Sequence, residues 1–352
     1  MDRKRPLRIA PSHYHVGHIV PATVAKEMFF FEDEGLEDYE IVGGGLVPAL
    51  AEGIGLRRAM KEKSIDIVPD AKPLSVFSHR DRGEDLYIAG CWRNRQATGF
   101  VGAKGMKGLA DLKGRKVGIR DLGGIAYTLL ATNLRKVGIN PEKDVIWVTG
   151  SRFHGQENPV EVLRRGEVDC VSMGSDNDPR QLEREGFTIL FDSRVYGAVS
   201  RPSRVTAGTR SVIEERREEI KAYFRAIIRA YWFIVDRERN GRYLNSLVRR
   251  LRRSCLDVEE SKRPSLESGG GSVLPFDGAP SLEGLEHILK EAKETGQISP
   301  ALDLKDIVCL EAVRRAFQSL QQREDMRDDY LRAKELFAVR DASSARAGSY
   351  AA

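Results

Sequence analysis

Apolar positions in this chain follow two alternating rhythms. Short apolar runs bounded by turn residues recur at 7–10, 39–42, 65–68, 87–90, 99–103, 116–120, 145–148, 168–173 and 188–191. Each has the length of a buried strand. Between many of them apolar residues return at helical spacing. Val24, Met28 and Phe31 share a face behind Pro21, which suits a first helical turn and predicts a helix from there to residue 31. A second helix is expected over 47–61. The sharpest stretch is 109–139, LADLKGRKVGIRDLGGIAYTLLATNLRKVGI. Its KVGIR strand passes through Gly123 and Gly124 into a helix. Ile125, Leu129, Leu130, Leu134 and Val137 carry that helix until Gly138 supplies a left-handed C-cap. Unpaired N–H groups and the positive end of the dipole meet at such a turn and suit an anion, though the same glycines also make a plain turn. No GK[ST] follows and no G-x-G-x-x-G is present there, so neither nucleotide loop applies.

The strand–loop–helix rhythm runs twice and predicts two α/β lobes, each a mostly parallel sheet flanked by helices. Ligands in such sheets sit beyond the carboxyl ends of the strands. The loops that qualify are 13–18, 43–45 and 70–72 in the first lobe, and 120–124, 150–157 and 174–178 in the second. Strands at 87–90 and 99–103 carry the chain across, and 192–200 is the expected return. Residues 211–255 read as helical nearly throughout, with Tyr223, Ile227, Ile228, Tyr231 and Ile234 as the buried stripe. Arg249, Arg250, Arg252 and Arg253 suit a solvated helix end. A Ser/Gly/Pro-rich loop at 261–278 precedes helices over 282–295 and 310–336. The expected organisation is 1–98 as the first part of lobe I, 99–198 as lobe II, 199–338 as a return to lobe I with a helical C-terminal extension, and 339–352 as a disordered tail.

Composition narrows the classes. The 352 residues are 41% hydrophobic and 31% charged, enough for a sizeable core. A net charge of +5, with basic and acidic residues interspersed, excludes a nucleic-acid profile and leans toward small anionic ligands. Four cysteines without a C-x-x-C pair give neither a disulfide framework nor a zinc ribbon. No apolar run is long enough to span a membrane. The start, MDRKRPLRIAPSHY, has no apolar segment behind its basic residues, so the expected location is cytoplasmic as the sequence stands, and periplasmic only if a signal was removed.

Three of the six histidines, His13, His15 and His18, fall in one post-strand loop. The imidazoles offer ligand contact, proton transfer or metal ligation. A metal would need a further ligand from His154, Glu157, Asp70, Asp176 or Asp178, and no cofactor is otherwise expected. Tyr14 offers an aromatic contact. Lys72 and Arg120 follow strands and can pair with a carboxylate, sulfonate or phosphate, or form ordinary surface ion pairs. Asp70 and Asp176 imply a cationic or hydrogen-bond-donating part of the ligand. Gly44, Gly45, Gly123 and Gly124 free backbone donors, and Tyr127 can stack on a ligand or pack in the core.

The run LADLKGRKVGI…GG…LL…L.K.GINPEKDV, followed by VEVLRRGEVDCVSMG, resembles the second lobe of type II periplasmic solute-binding proteins. It is most similar to the group that binds nitrate, sulfonates, taurine or thiamine-pyrimidine precursors. That group also holds cytosolic relatives, a thiamine-pyrimidine synthase and aromatic decarboxylases. The resemblance covers residues 7–191 well and the C-terminal third loosely. It implies a two-lobed periplasmic-binding-protein-like (type II) α/β fold that closes on a small organic anion, aromatic or nitrogen-containing, by a hinge through 87–103 and 192–200. An ABC transporter permease is the implied partner if the chain is exported. The alternative it implies is a cytosolic enzyme, such as a hydroxylated aromatic acid decarboxylase, with His13 or His15 as general acid and Lys72 or Arg120 on the carboxylate. The pyrimidine synthases consume a histidine near the N-terminus and hold pyridoxal phosphate on a lysine. His15 matches by position and Lys72 approximately, but their cysteine-cluster motif is absent. One fold hosts many functions, so these motifs bear on fold more than on ligand.

Overall fold

The apolar runs fold as strands of two five-stranded sheets. The computed structural model describes residues 5–11, 16–42, 59, 62, 64–95, 98–120, 122, 125–150, 153, 158–173, 177, 179–192, 201–254 and 274–348. Most of the expected helix over 47–61, the return at 193–200 and the loop at 261–273 lie outside the described residues. The elements are β1 (Leu7–Ile9), α1 (Val16–Glu27), α2 (Phe30–Asp33), β2 (Tyr39–Ile41), β3 (Ile67–Ala71), α3 (Pro73–Asp81), β4 (Tyr87–Arg93), β5 (Gly99–Gly102), β6 (Lys116–Gly118), α4 (Ile125–Lys136), β7 (Ile146–Val148), α5 (Pro159–Arg164), β8 (Cys170–Met173), α6 (Pro179–Arg184), β9 (Thr188–Asp192), β10 (Arg204–Gly208), α7 (Arg210–Glu215), α8 (Arg217–Val235), α9 (Arg237–Ser254), α10 (Leu282–Glu294), α11 (Glu311–Gln322) and α12 (Arg327–Gly348). The chain divides into two compact units. The first takes residues 1–96, 198–260 and 270–345, and the second takes the remainder, chiefly 97–197.

In unit 1 the strand order is β2-β1-β3-β10-β4. β1 runs parallel to β2 and β3, whereas β10 runs antiparallel to both β3 and β4. Four strands therefore share one direction and their carboxyl ends share one rim. α8 covers the core with Tyr223, Ile227, Ile228, Tyr231 and Ile234, all buried as the helical period predicts. The helical stretch beyond 210 breaks at Arg216 and Asp236, giving three helices rather than one. α12 reaches Gly348, well into the stretch whose composition suggests a disordered tail.

Two expectations are corrected here. α1 begins at Val16, so Pro21 lies inside the helix and His18 belongs to its first turn rather than to a loop. Proline there removes one helical hydrogen bond. Burial of Ile19, Val20, Ala22, Val24 and Ala25 outweighs that loss. β3 does not stop at Val68. It continues through Pro69 and Asp70 to Ala71 across a bulge. Val205 pairs with Ala71 and Ala207 with Val68, so three steps on β3 face two on β10. Pro69 has no N–H for a ladder, and the bulge accommodates it. Its carbonyl accepts from Thr206 Oγ1 at 3.1 Å.

β4 passes close beneath α8 at Gly90. A Cβ there would stand 2.4 Å from Phe224 Cε1 and 2.8 Å from its Cζ. Phe224 is buried and its ring has little room to turn away. Gly90→Ala is expected to cost about 1–3 kcal/mol, seen as a lower urea midpoint at unchanged slope.

Unit 2 has the order β7-β6-β8-β5-β9, with β6 parallel to β7 and β8, and β5 antiparallel to β8 and β9. The α4 period is realised at Leu129, Leu130 and Leu134, which pack with Val117, Ile119 and Phe100, whereas Val137 lies past the helix end and is exposed; Gly138 adopts the left-handed conformation at φ 78°.

Candidate functional site

Three strand ends meet at the carboxyl rim of unit 1. β3 finishes at Ala71, opposite Val205 near the start of β10. Arg204, the first residue of β10, is paired in register with Arg93, the last of β4. Lys72 follows β3 directly as the N-cap of α3, extended and exposed, with Pro73 at the first helical position. α1 enters from the β1 side and brings His18 to Asp70 of the bulge. His18 Nδ1 stands 2.5 Å from Asp70 Oδ2. Asp70 is fully buried and His18 is 7% exposed.

A carboxylate accepts, so Nδ1–H donates. Burial is the main influence on the imidazole and pushes its pKa down to about 3, against the attraction of Asp70 and with help from Arg204 and Arg93. His18 is neutral at physiological pH. Among the described residues the rim therefore brings Arg93, Arg204 and Lys72 near the buried Asp70 carboxylate and an uncharged imidazole. Guanidinium and ammonium groups of this kind can hold an anionic group.

The opposite end of β3 is built for anchoring. Asp66 is fully buried; it accepts from Arg5 at 2.6 and 2.8 Å, from Arg216 at 3.1 Å and from the Arg8 amide at 2.9 Å. Its charge is matched by protein groups, so it holds the N-terminal strand and α8 to the sheet.

Of the residues singled out from sequence, the structure brings Asp70, Lys72 and His18 to this rim. Asp70 is an internal partner of His18. Unit 2 carries Arg120, exposed just past β6, and Tyr127 in the first turn of α4. The Tyr127 ring packs edge-on against Trp147 at 4.9 Å, and its hydroxyl reaches Glu142 Oε1 at 3.4 Å. His13, Tyr14, His15, Gly44, Gly45, Gly123, Gly124, His154, Glu157, Asp176 and Asp178 lie outside the described residues. Among the described residues no group of three or more His, Cys, Asp or Glu side chains is placed to hold a metal ion, and no helix is long and apolar enough to cross a membrane. Sequence reasoning missed Arg93 and Arg204. The available signal was an arginine at each end of a short alternating run.

Comparison with known proteins follows this geometry. A family model described as "NMT1/THI5 like" matches residues 17–239, a span that includes all five rim residues. No curated protein matches the chain. The periplasmic aliphatic sulphonate binding protein SsuA of Escherichia coli superposes with a TM-score of 0.61 at 17% identity, covering 87% of this chain and 98% of that one. The periplasmic nitrate-binding protein NrtA of Synechocystis PCC 6803 gives 0.60 at 15% identity, over 92% and 90%. The desulfurization enzyme DSZB gives 0.57 at 13% identity, over 90% and 99%. At these identities the likeness is one of fold. With two mixed five-stranded sheets, a helical C-terminal region and a family match over more than half its length, the chain belongs to the NMT1/THI5-like family and shares the fold of periplasmic solute-binding proteins.

Proposed function

We propose that the protein is a solute-binding protein whose ligand is a small organic anion, aromatic or nitrogen-containing, taken at the carboxyl rim of unit 1. The observation that carries this reading is the in-register pair Arg204 and Arg93 on adjacent strand ends, with Lys72 directly after β3. Guanidinium groups on adjacent strand ends suit a carboxylate or sulfonate, which they engage through paired N–H donors. Two structural neighbours, a sulphonate-binding and a nitrate-binding protein, agree with a small anion as the class. The partner in this reading is an ABC transporter permease, to which the loaded protein would deliver its solute.

The test is calorimetric titration and thermal shift with benzoate, 4-hydroxybenzoate, taurine, methanesulfonate and nitrate, since binding to the native state raises its apparent stability. At least one should bind. Arg204→Ala and Arg93→Ala should each weaken it about tenfold or more, the worth of a charge-assisted hydrogen bond. Binding that ignores both substitutions, or no binding at all, would overturn the reading.

The His18–Asp70 pair favours one second reading, a lyase on the same frame. A histidine hydrogen-bonded to a carboxylate is a pairing that proton-moving sites also use. Another member of this fold, DSZB, is named as an enzyme. Incubating the protein with whichever anion binds, and measuring released carbon dioxide or sulfite, separates the two readings.

A further inference from the structure

The helical flank of unit 1 holds a cavity of about 290 Å³ that shares no residue with the rim. Met28, Phe30, Trp232, Phe233, Met326 and Ala333 supply its apolar wall. A turn at Phe29 places the first two. Phe29 is the one non-glycine residue at positive φ among the described residues, at 58°, a strain of the kind that collects at binding sites. Met326 and Ala333 lie beyond residue 239, where the family match ends, so one side of the cavity falls outside the matched region.

Half of the polar lining is already committed. Arg229 donates to Glu34 and Asp33, and its guanidinium lies 4.3 Å from the centre of the Phe30 ring. Arg332 donates to Asp236 at 3.3 Å and to Glu238. Asp236, 5% exposed, accepts in addition from the Arg239 amide at 3.2 Å. Three groups keep capacity among the described residues. Arg239 reaches Asp236 through Nε, at 3.5 Å, which leaves both Nη groups to donate. Asn240 donates Nδ2–H to the Phe233 carbonyl at 2.9 Å, so its amide oxygen is left to accept. The exposed Asp329 carboxylate has no donor among the described residues. The cavity thus sets one cation and two acceptors beside an aromatic wall. A plain anion or a plain cation satisfies one sign and confronts the other. A molecule with both charges on an apolar body satisfies all three groups.

We propose that this cavity is a second ligand site, which takes a small zwitterion with an apolar body, such as a hydrophobic α-amino acid. Arg239 holds the carboxylate. Asp329 and the Asn240 oxygen hold the ammonium, and Trp232, Phe233 and the two methionines cover the side chain. The size fits: a cavity of about 150 Å³ holds benzene, and phenylalanine has twice as many non-hydrogen atoms.

Calorimetric titration of the full chain compares L-phenylalanine with phenethylamine, which lacks the carboxylate, and with 3-phenylpropionate, which lacks the ammonium. Phenylalanine should bind more tightly than either by about fivefold, the worth of one partly exposed ion pair. Arg239→Gln should erase the advantage over phenethylamine, and Asp329→Asn the advantage over phenylpropionate. Both positions are exposed, so neither change disturbs the fold. Phenylpropionate is also a candidate for the rim. Each titration is therefore repeated on Arg204→Ala, which should leave the phenylalanine affinity unchanged. Methionine-methyl NMR locates the ligand without any substitution. Of the six methionines, Met28 and Met326 should shift with phenylalanine, while Met106 and Met173, in unit 2, should stay in place. Three results would each overturn this inference: equal affinity for all three compounds, Met28 and Met326 unmoved, or a phenylalanine response lost in Arg204→Ala and kept in Arg239→Gln. The anion reading of the rim is decided by its own panel in every case.

Discussion

Replacing Glu34 with alanine is expected to lower the stability of unit 1 by about 3 kcal/mol or more, the scale on which removal of one partner breaks a buried ion pair. Glu34 closes α2, and its side chain is 1% exposed. Arg225 Nε donates to Oε2 at 2.7 Å and Arg229 Nη1 to Oε1 at 2.7 Å, both from α8 and one turn apart. Arg323, just beyond α11, donates to both oxygens at 2.7 and 2.8 Å. Two distant segments thus converge on the carboxylate of a third. Without it, three guanidiniums that are only 12–30% exposed would face one another. Arg229 keeps Asp33 and Arg323 keeps Asp325, which limits the loss. Glu34→Gln keeps the shape and one acceptor and should cost less than Glu34→Ala. Urea unfolding of both variants checks this. A loss under about 1 kcal/mol for the alanine variant would mean that water replaces the pairing freely, as it does for surface bridges.

What could be read from the residues alone depended on how local the signal was. Strands such as β1 and β6 and the helix α4 were legible because their own apolar spacing sets which face is buried. The family resemblance rested on those same stretches. β3 was cut short because proline and aspartate ordinarily end a strand, and only the partner strand β10 creates the bulge that admits Pro69 and Asp70. β10 itself went unread because RVTAG is short, and its place between β3 and β4 is decided by the antiparallel partners rather than by pattern. Missing it meant missing Arg204, and stopping β4 at residue 90 meant missing Arg93. The histidine loop drew attention for its composition, yet the member described here, His18, is explained by a residue 52 positions away. Local periodicity gives elements. The rim arises from long-range register, which one sequence read in order does not disclose.

The charge state of His18 should be visible in how stability depends on pH, and the sign decides the chemistry. In the folded protein burial holds the imidazole pKa at about 3, and in the unfolded chain it returns to 6.5. Between those values the unfolded chain carries a proton that the native state does not. Unfolding is then favoured as pH falls, by about 1.4 kcal/mol per pH unit. The contribution is complete above pH 6.5, shrinks through the window and levels off below about 3. Among the described residues, the charged groups that act on His18 include Asp70 from β3, Arg93 from β4 and Arg204 from β10. Asp70 favours the proton and the two arginines oppose it. His18→Gln keeps a donor for Asp70 and removes the titration. From pH 6.5 to pH 4 the unsubstituted protein should therefore lose about 3 kcal/mol more than this variant, as measured by urea unfolding at a series of pH values. Groups away from this pair are common to both proteins and cancel. The reverse slope, with the unsubstituted protein gaining on the variant as pH falls, would mean a charged imidazolium–carboxylate pair. Both ring nitrogens would then carry protons, and the rim would gain a further positive charge.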